Sequence, residues 1–215
     1  MSDTQLPDKK ETSARYEFRA FAHDFGLAEE AIRRDAGEAR YRESLEVYLM
    51  SAGNDESNTK VRGGLMDIKV LVNRDRGLEQ WSPRMKGEFP LSRLIILDEV
   101  FPAFGVKAPA LQRDAYSFQE YLDEIIRPHP ELAAVSVFKQ RFGFEIDGCI
   151  AELANVYING ALMRTACLES TDPDLVLRTR TRIHLDGYEN VNYLLAIKRV
   201  IGMAPLPAGA FYRAC

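Results

Sequence analysis

Apolar and polar residues alternate along much of this chain. In "TKVRGGLMDIKVL" (59–71), Lys60, Arg62 and Lys69 fall on one set of positions, and Val61, Met66 and Ile68 on the other. A side-chain period of two predicts strands, and Gly63-Gly64 between them suits a two-residue hairpin turn. The same reading makes strands of "ARYEFRAF" (14–21) and of the β-rich run "ESLEVYLMS" (43–51). "LEQWSPRMKGEF" (78–89) predicts a further strand, at an edge or irregular, because Pro83 cannot donate to a ladder. From 134 to 170 the chain is strongly β, divided by Asp147-Gly148 and Asn159-Gly160, both favoured hairpin pairs.

Helical spacing appears in "GLAEEAIRR" (26–34) at Leu27, Ala31 and Ile32. Ser92 is a candidate N-cap for a helix in "PLSRLIILDEVFPAFG" (90–105). Ser117 and Glu120 offer a capping box for "YSFQEYLDEII" (116–126), which "RPHP" then ends. Pro173 suits a helix start, and "ENVNYLLAIKRVIG" predicts a last helix ending at Gly202. No repeat or linker divides the chain. The expectation is a disordered segment over 1–13 and one α+β domain over 14–215, with seven or eight antiparallel strands and four or five helices.

Composition narrows the function classes. The 215 residues are 46% hydrophobic and 28% charged, ample for a core. A net charge of -4 argues against a nucleic-acid partner by bulk charge, so an anion site must come from local arrangement. No apolar run approaches the roughly 18 residues of a membrane span, and the polar start lacks a signal-peptide core. Cys149, Cys167 and Cys215 form an odd set without metal-type spacing, and His23, His129 and His184 are scattered. These features predict a reduced, cytoplasmic protein with no membrane partner and no zinc site.

Turns fix pairing, and pairing fixes faces. With Gly63-Gly64 as the turn, Arg62 pairs with Leu65, Lys60 with Asp67 and Asn58 with Lys69. The later turns pair Glu145 with Ile150, Gly143 with Glu152, Glu152 with Cys167, and Ile150 with Glu169. One face then carries Lys139, Arg141, Glu145, Glu152, Thr165, Cys167 and Glu169, although a bulge at Gly143 would re-aim Lys139 and Arg141. Arg15, Glu17 and Arg19 also share a face, opposite Tyr16, Phe18 and Ala20. Two arrangements satisfy the pattern. Either the polar face is the solvated side of an open sheet, or the sheet closes with its charges inside and binds a polyanion, with acids holding a divalent cation. At least three amphipathic helices are available to cover the apolar side.

On these residues the chain resembles the CYTH domains, or triphosphate tunnel metalloenzymes, over about 14 to 202. "RYEFR" stands where that family has an alternating E-x-E-x-K strand, with Glu17 matching the second acid, Arg19 the lysine, and Arg15 replacing the first acid. "KVR" (Lys60, Arg62), "MDIK" (Lys69) and "FKQR" (Lys139, Arg141) are similar to its basic positions. "CLE" is similar to its late E-x-E strand, with Cys167 replacing one acid and Glu169 matching the other. The closing "ENVNYLLAIKR" is similar to the last helix of some members. The resemblance implies a closed antiparallel eight-stranded β-barrel, a tunnel, with helices packed outside. It implies a small polyanion as partner: a triphosphate, polyphosphate or nucleoside triphosphate, hydrolysed with Mg²⁺ or Mn²⁺. Phosphate binding would fall to Arg19, Lys60, Arg62, Lys69, Lys139 and Arg141, with Arg84 and Lys86 of "PRMKGEF" as further candidates. Glu17, Glu145, Glu152 and Glu169 would be metal ligands or charge balance for the cations, and Glu17 and Glu169 the catalytic pair. Because Arg15 and Cys167 replace family acids, the alternative is a non-catalytic polyphosphate- or nucleotide-binding module with a degenerate metal site. Cys167 reads as a small structural residue, and Trp81 and Tyr193 as core.

Overall fold

The computed structural model describes residues 14–207; the disorder expected over 1–13 falls outside them. The chain begins with β1 (Arg15–Ala22), α1 (Leu27–Asp35), β2 (Arg40–Ser51), β3 (Ser57–Arg62), β4 (Leu65–Asp75) and β5 (Leu78–Glu88). A short β6 (Leu91–Ser92) leads into α2 (Arg93–Ile95), which continues through a π-helical stretch (Ile96–Val100) into α3 (Phe101–Phe104). Next come β7 (Ala115–Tyr116) and α4 (Phe118–Glu120), the latter extended by a second π-helical stretch (Tyr121–Ile126). The three long strands β8 (Leu132–Ile146), β9 (Cys149–Ile158) and β10 (Ala161–Ser170) precede α5 (Pro173–Arg182) and α6 (Tyr193–Val200). No helix among the described residues is long and apolar enough to cross a membrane.

Eight strands close into an antiparallel barrel in the order β1-β10-β9-β8-β2-β3-β4-β5, with β5 returning to β1. Closure removes the free edges that would otherwise invite pairing with another chain. The turns set the register as their sequences predict. Gly63-Gly64, Asp147-Gly148 and Asn159-Gly160 all hold positive φ at both central residues, the type I′ geometry whose twist matches the flanking strands. Lys60 lies opposite Asp67 and Asn58 opposite Lys69. Glu152 lies opposite Gly143 on one side and Cys167 on the other. Gly143 stays in register with Arg40 and Glu152, so no bulge disturbs the facing of Lys139 and Arg141. Pro83 sits at an irregularity rather than an edge: the register shifts between Ile68, opposite Met85, and Lys69, opposite Pro83. β1 pairs with β5 only from Glu79 to Trp81, so no ladder bond is asked of Pro83 on that side.

The alternating faces sort the molecule into three apolar clusters. Outward-facing Phe18, Leu153, Ala166 and Leu168 pack against Ala31 and Ile32 of α1 and Val176 of α5. Outward-facing Val61, Met66 and Ile68 meet Ile96, Val100 and Phe104 of the α2–α3 segment and Ile125 after α4. The predicted caps position this layer: Ser92 accepts from the Ile95 N–H at 3.3 Å, and Ser117 and Glu120 form their reciprocal box. The third cluster lies inside. Tyr48, Met50, Val135, Val137, Val156 and Ile158 share the inward face with the tunnel charges, and Tyr193, Leu194 and Ile197 of α6 pack on them. While the other helices cover the outer wall, α6 closes one end of the barrel, because that apolar lower half of the inner face needs cover.

Candidate active site

The inner face above this apolar floor is polar, with most of its cations on one arc around Glu46 and most of its carboxylates on the other around Arg19. Around the barrel, β8, β2 and β3 carry the cations Lys139, Arg141, Arg42, Lys60 and Arg62, while β1, β10 and β9 carry Glu17, Glu169 and Glu152. The two arcs face each other across a cavity of about 210 Å³, lined also by Lys69, Asn58, Trp81, Asn192 and Tyr193. The cavity opens into an outer basin where Arg15, Pro83, Arg84 and Lys86 join Lys69 and Glu169. Lysines and arginines this buried are seldom found unless paired. Lys139 is 1% exposed, Lys60 8% and Arg141 8%.

Each buried cation is accounted for. Lys139 donates to Glu46 at 3.1 Å and to the Tyr48 hydroxyl at 2.7 Å, and its ammonium lies 3.6 Å from the Tyr193 ring centroid. Lys60 meets Glu46 at 3.2 Å. Arg141 makes a close ion pair with Glu46 and reaches Glu152 at 3.7 Å. Arg62 approaches Glu46 at 3.8 Å and Asp67 at 3.3 Å. Burial and the neighbouring Lys60 charge push the Lys139 ammonium well below the usual lysine range, and burial lowers Lys60 as well. Among the described residues, Lys69 and Arg42 line the cavity without an ion pair. They are the cations most available to an incoming anion.

The acidic arc is organised by Arg19, which is 4% exposed. Its guanidinium donates to Glu17 at 2.8 Å and lies 3.5 Å from Glu152 and 3.9 Å from Glu169. The ring of Tyr193 sits 4.6 Å beneath it. Burial would raise the Glu17 carboxyl, but Arg19, with Lys69 and Lys60 beyond, holds it below its usual value. Glu169 goes the other way: burial and the charge of Glu17 push it up. Two adjacent carboxyls driven apart in this way can divide the work of a fixed charge and a proton acceptor.

Glu17, Cys167 and Glu169 bring one ligand atom each to within 4.8 Å of one another. The two carboxylates fit a hard divalent cation, which needs only one or two from the protein when phosphate and water complete its shell. The thiol does not fit such an ion, and burial pushes it well above its usual value, so it stays protonated.

The structure brings together most of the residues singled out from sequence. Glu17, Arg19, Lys60, Arg62, Lys69, Lys139, Arg141, Glu152 and Glu169 all line the cavity. Glu145 does not join them. It is exposed, beside Ile150 in a separate hollow, because the β8–β9 hairpin runs past the rim before it turns. Arg84 and Lys86 line the outer basin and not the cavity: Lys86 lies opposite Asp67, and Arg84 donates to Glu99 at 3.0 Å. Trp81 and Tyr193 are core residues as expected, in the apolar cluster inside the barrel, and they also line the cavity. Sequence reasoning missed Glu46, Tyr48 and Arg42. The period-two spacing of Arg42, Ser44, Glu46 and Tyr48 was a usable signal, but no two-residue turn flanks β2 to tell which set faces inward.

No family model matches the chain, and no curated protein does. Among solved structures, a candidate adenylyl cyclase from Hippeastrum with a dominant triphosphatase activity is 12% identical, with a TM-score of 0.49 over 90% of this chain and 98% of its own. A protein of Pyrococcus horikoshii OT3 is 14% identical, with a TM-score of 0.49 over 84% of this chain and 97% of its own. An RNA triphosphatase of S. pombe is 9% identical, with a TM-score of 0.33 over 88% and 80%. The chain itself forms a closed eight-stranded antiparallel barrel with charged side chains turned inward, the architecture that the resemblance in its sequence implied.

Proposed function

We propose that the tunnel binds the phosphate chain of an inorganic triphosphate, a polyphosphate or a nucleoside triphosphate and hydrolyses it with a divalent cation, Mg²⁺ or Mn²⁺. One observation carries this reading: Lys60, Arg62, Lys139 and Arg141 converge from two strands on a cavity that α6 closes at one end, with carboxylates facing them. A phosphate chain repeats its charge along its length, and arginines grip its oxygens in pairs while lysines act as point charges. Lys69 and Arg42 add positive charge not already matched by an acid. Glu17 and Glu169 would hold the cation, which supplies charge neutralisation and an acidified water when bound. Glu17 remains ionised beside Arg19. Glu169 is pushed up by burial and by Glu17, and a cation shared by the two carboxylates would relieve that repulsion and favour its ionised form. The apolar floor keeps bulk water from the far end.

A second reading, binding without turnover, is favoured by a specific feature of the acidic arc. Arg19 already donates to Glu17 at 2.8 Å, and Arg15 lies 3.7 Å from Glu169, so cationic groups stand where the metal's charge would act. Phosphate release from tripolyphosphate and ATP, with Mg²⁺ or Mn²⁺, separates the two. Turnover that Glu169→Gln abolishes supports the hydrolase. Tight binding without release supports the binder, and neither binding nor release rejects both.

A further inference from the structure

Glu46 is the most buried charge in the molecule's polar interior, at 0% exposure. It sits on β2 between the strands that bear the cations, opposite Arg62 of β3 and Val137 of β8. One oxygen meets Lys60 at 3.2 Å and Lys139 at 3.1 Å. The other pairs closely with Arg141, accepts from the Ser44 hydroxyl at 3.0 Å, and has Arg62 at 3.8 Å. Four cations thus share one carboxylate. Yet Glu46 does not line the cavity; the cations stand between it and the free volume. It cannot touch a bound anion and can act only through the groups that do.

We propose that Glu46 is a positioning residue: its carboxylate draws Lys60, Arg62, Lys139 and Arg141 into one array facing the cavity and so sets the affinity for polyphosphate. The inference rests on the polyphosphate reading above. The three buried charges, Lys60, Lys139 and Arg141, repel one another strongly because the low-dielectric interior screens them little, and the half-exposed Arg62 adds to this from the rim. Without a central anion they would splay or, for the lysines, lose their protons. Even with Asp67 beside Arg62 and Glu152 beside Arg141, the four cations outnumber the carboxylates around them and leave positive charge for a ligand to neutralise. The surroundings fix which groups answer to Glu46. Lys60 and Arg62 face it from β3, Lys139 and Arg141 from β8, and Ser44 and Tyr48 from its own strand. Behind these stand Asp67 beside Arg62, Glu152 beside Arg141, and the Tyr193 ring of α6 under Lys139. Arg19 of β1 adds to the repulsion on Lys139.

The test is Glu46→Gln, which keeps the shape and loses the charge, in the full-length protein. Tripolyphosphate affinity is measured by calorimetry from pH 6 to 10, and the Lys60 and Lys139 side chains are titrated by NMR without ligand. The proposal expects affinity at pH 7 to fall by about tenfold or more, as for other buried charge pairs that lose a partner. It also expects the alkaline loss of binding to begin at a lower pH, with both lysines shedding their protons earlier. Affinity that rises, as removal of a nearby negative charge would produce by itself, overturns it. So does a variant that melts lower but binds with an unchanged pH profile, which is the behaviour of a merely structural residue. Should Glu46→Gln fail to fold, Glu46→Asp keeps the charge but withdraws it. The array then predicts weaker binding with the alkaline limit unmoved, and wild-type affinity overturns it. If the wild-type protein does not bind tripolyphosphate, the polyphosphate reading falls, and the lysine titrations alone decide whether Glu46 organises the array.

Discussion

At the residue scale, Glu46 is one of the carboxyls that make stability depend on pH. Burial works against its ionised form, but Lys139, Lys60 and Arg141 outweigh burial and hold its carboxyl far below the usual range. A carboxyl lowered on folding stabilises the fold fully above its unfolded value and progressively less as pH falls beneath it. Melting midpoints of the wild-type protein should therefore drop from about pH 4 downward, near the unfolded value, and Glu46→Gln should flatten that limb. A parallel decline in both proteins would refute the assignment. The two lysines act in the same direction but in a higher window: because their folded values are depressed, stability rises further as pH climbs towards the ordinary lysine range. The same residues show what sequence conveys at this scale. Lys60 with Arg62, and Lys139 with Arg141, were legible as two same-facing pairs because a hairpin turn fixes each facing, and only the resemblance joined the pairs into one set. Glu46 was not legible, since no short turn pins the register of β2.

At the scale of elements, α6 decides the depth of the tunnel. Tyr193, Leu194 and Ile197 pack on the inward apolar residues of β2, β8 and β9, and the Asn192 side chain caps the helix by accepting from the Leu195 N–H at 3.0 Å. The helix is tied to the barrel by Lys198, whose ammonium donates to the Ala52 and Asn54 carbonyls at 2.8 Å each. Ile197 is fully buried, so Ile197→Ala should cost about 2–5 kcal/mol, the range for removing a core side chain and leaving a cavity. Urea denaturation checks this, and a loss below about 0.5 kcal/mol, the scale of surface substitutions, would mean that α6 is not a packed floor. The run "ENVNYLLAIKRVIG" predicted this last helix in the sequence, two residues longer than the observed Tyr193–Val200 at its C-terminal end. That it enters the end of the barrel, while α1 and α5 lie on its wall, follows only from which apolar surface remains uncovered once the strands have closed.

At the scale of the whole molecule, the tunnel concentrates positive charge in a chain whose net charge is -4. A ligand that binds only the closed barrel must stabilise it by mass action. Tripolyphosphate at a hundredfold excess over Kd should add about 2.7 kcal/mol and raise Tm, with a smaller gain at high salt as the ions screen the attraction. A Tm that ignores tripolyphosphate over a wide concentration range would remove the anion site from the account. The sequence by itself determined the strands, their hairpin registers and the sharing of faces, because a side-chain period of two and a two-residue turn are local rules. It left open whether the shared face met solvent or a closed interior, since an open sheet and a barrel present the same alternation. Only the tertiary structure decided that, through the pairing of β1 with both β5 and β10, which lie far from it along the chain. The same long-range pairing brought Glu17 beside Glu169 and left Glu145 beyond the rim. Such contacts depend on how many strands close and at what stagger, which no single hairpin encodes.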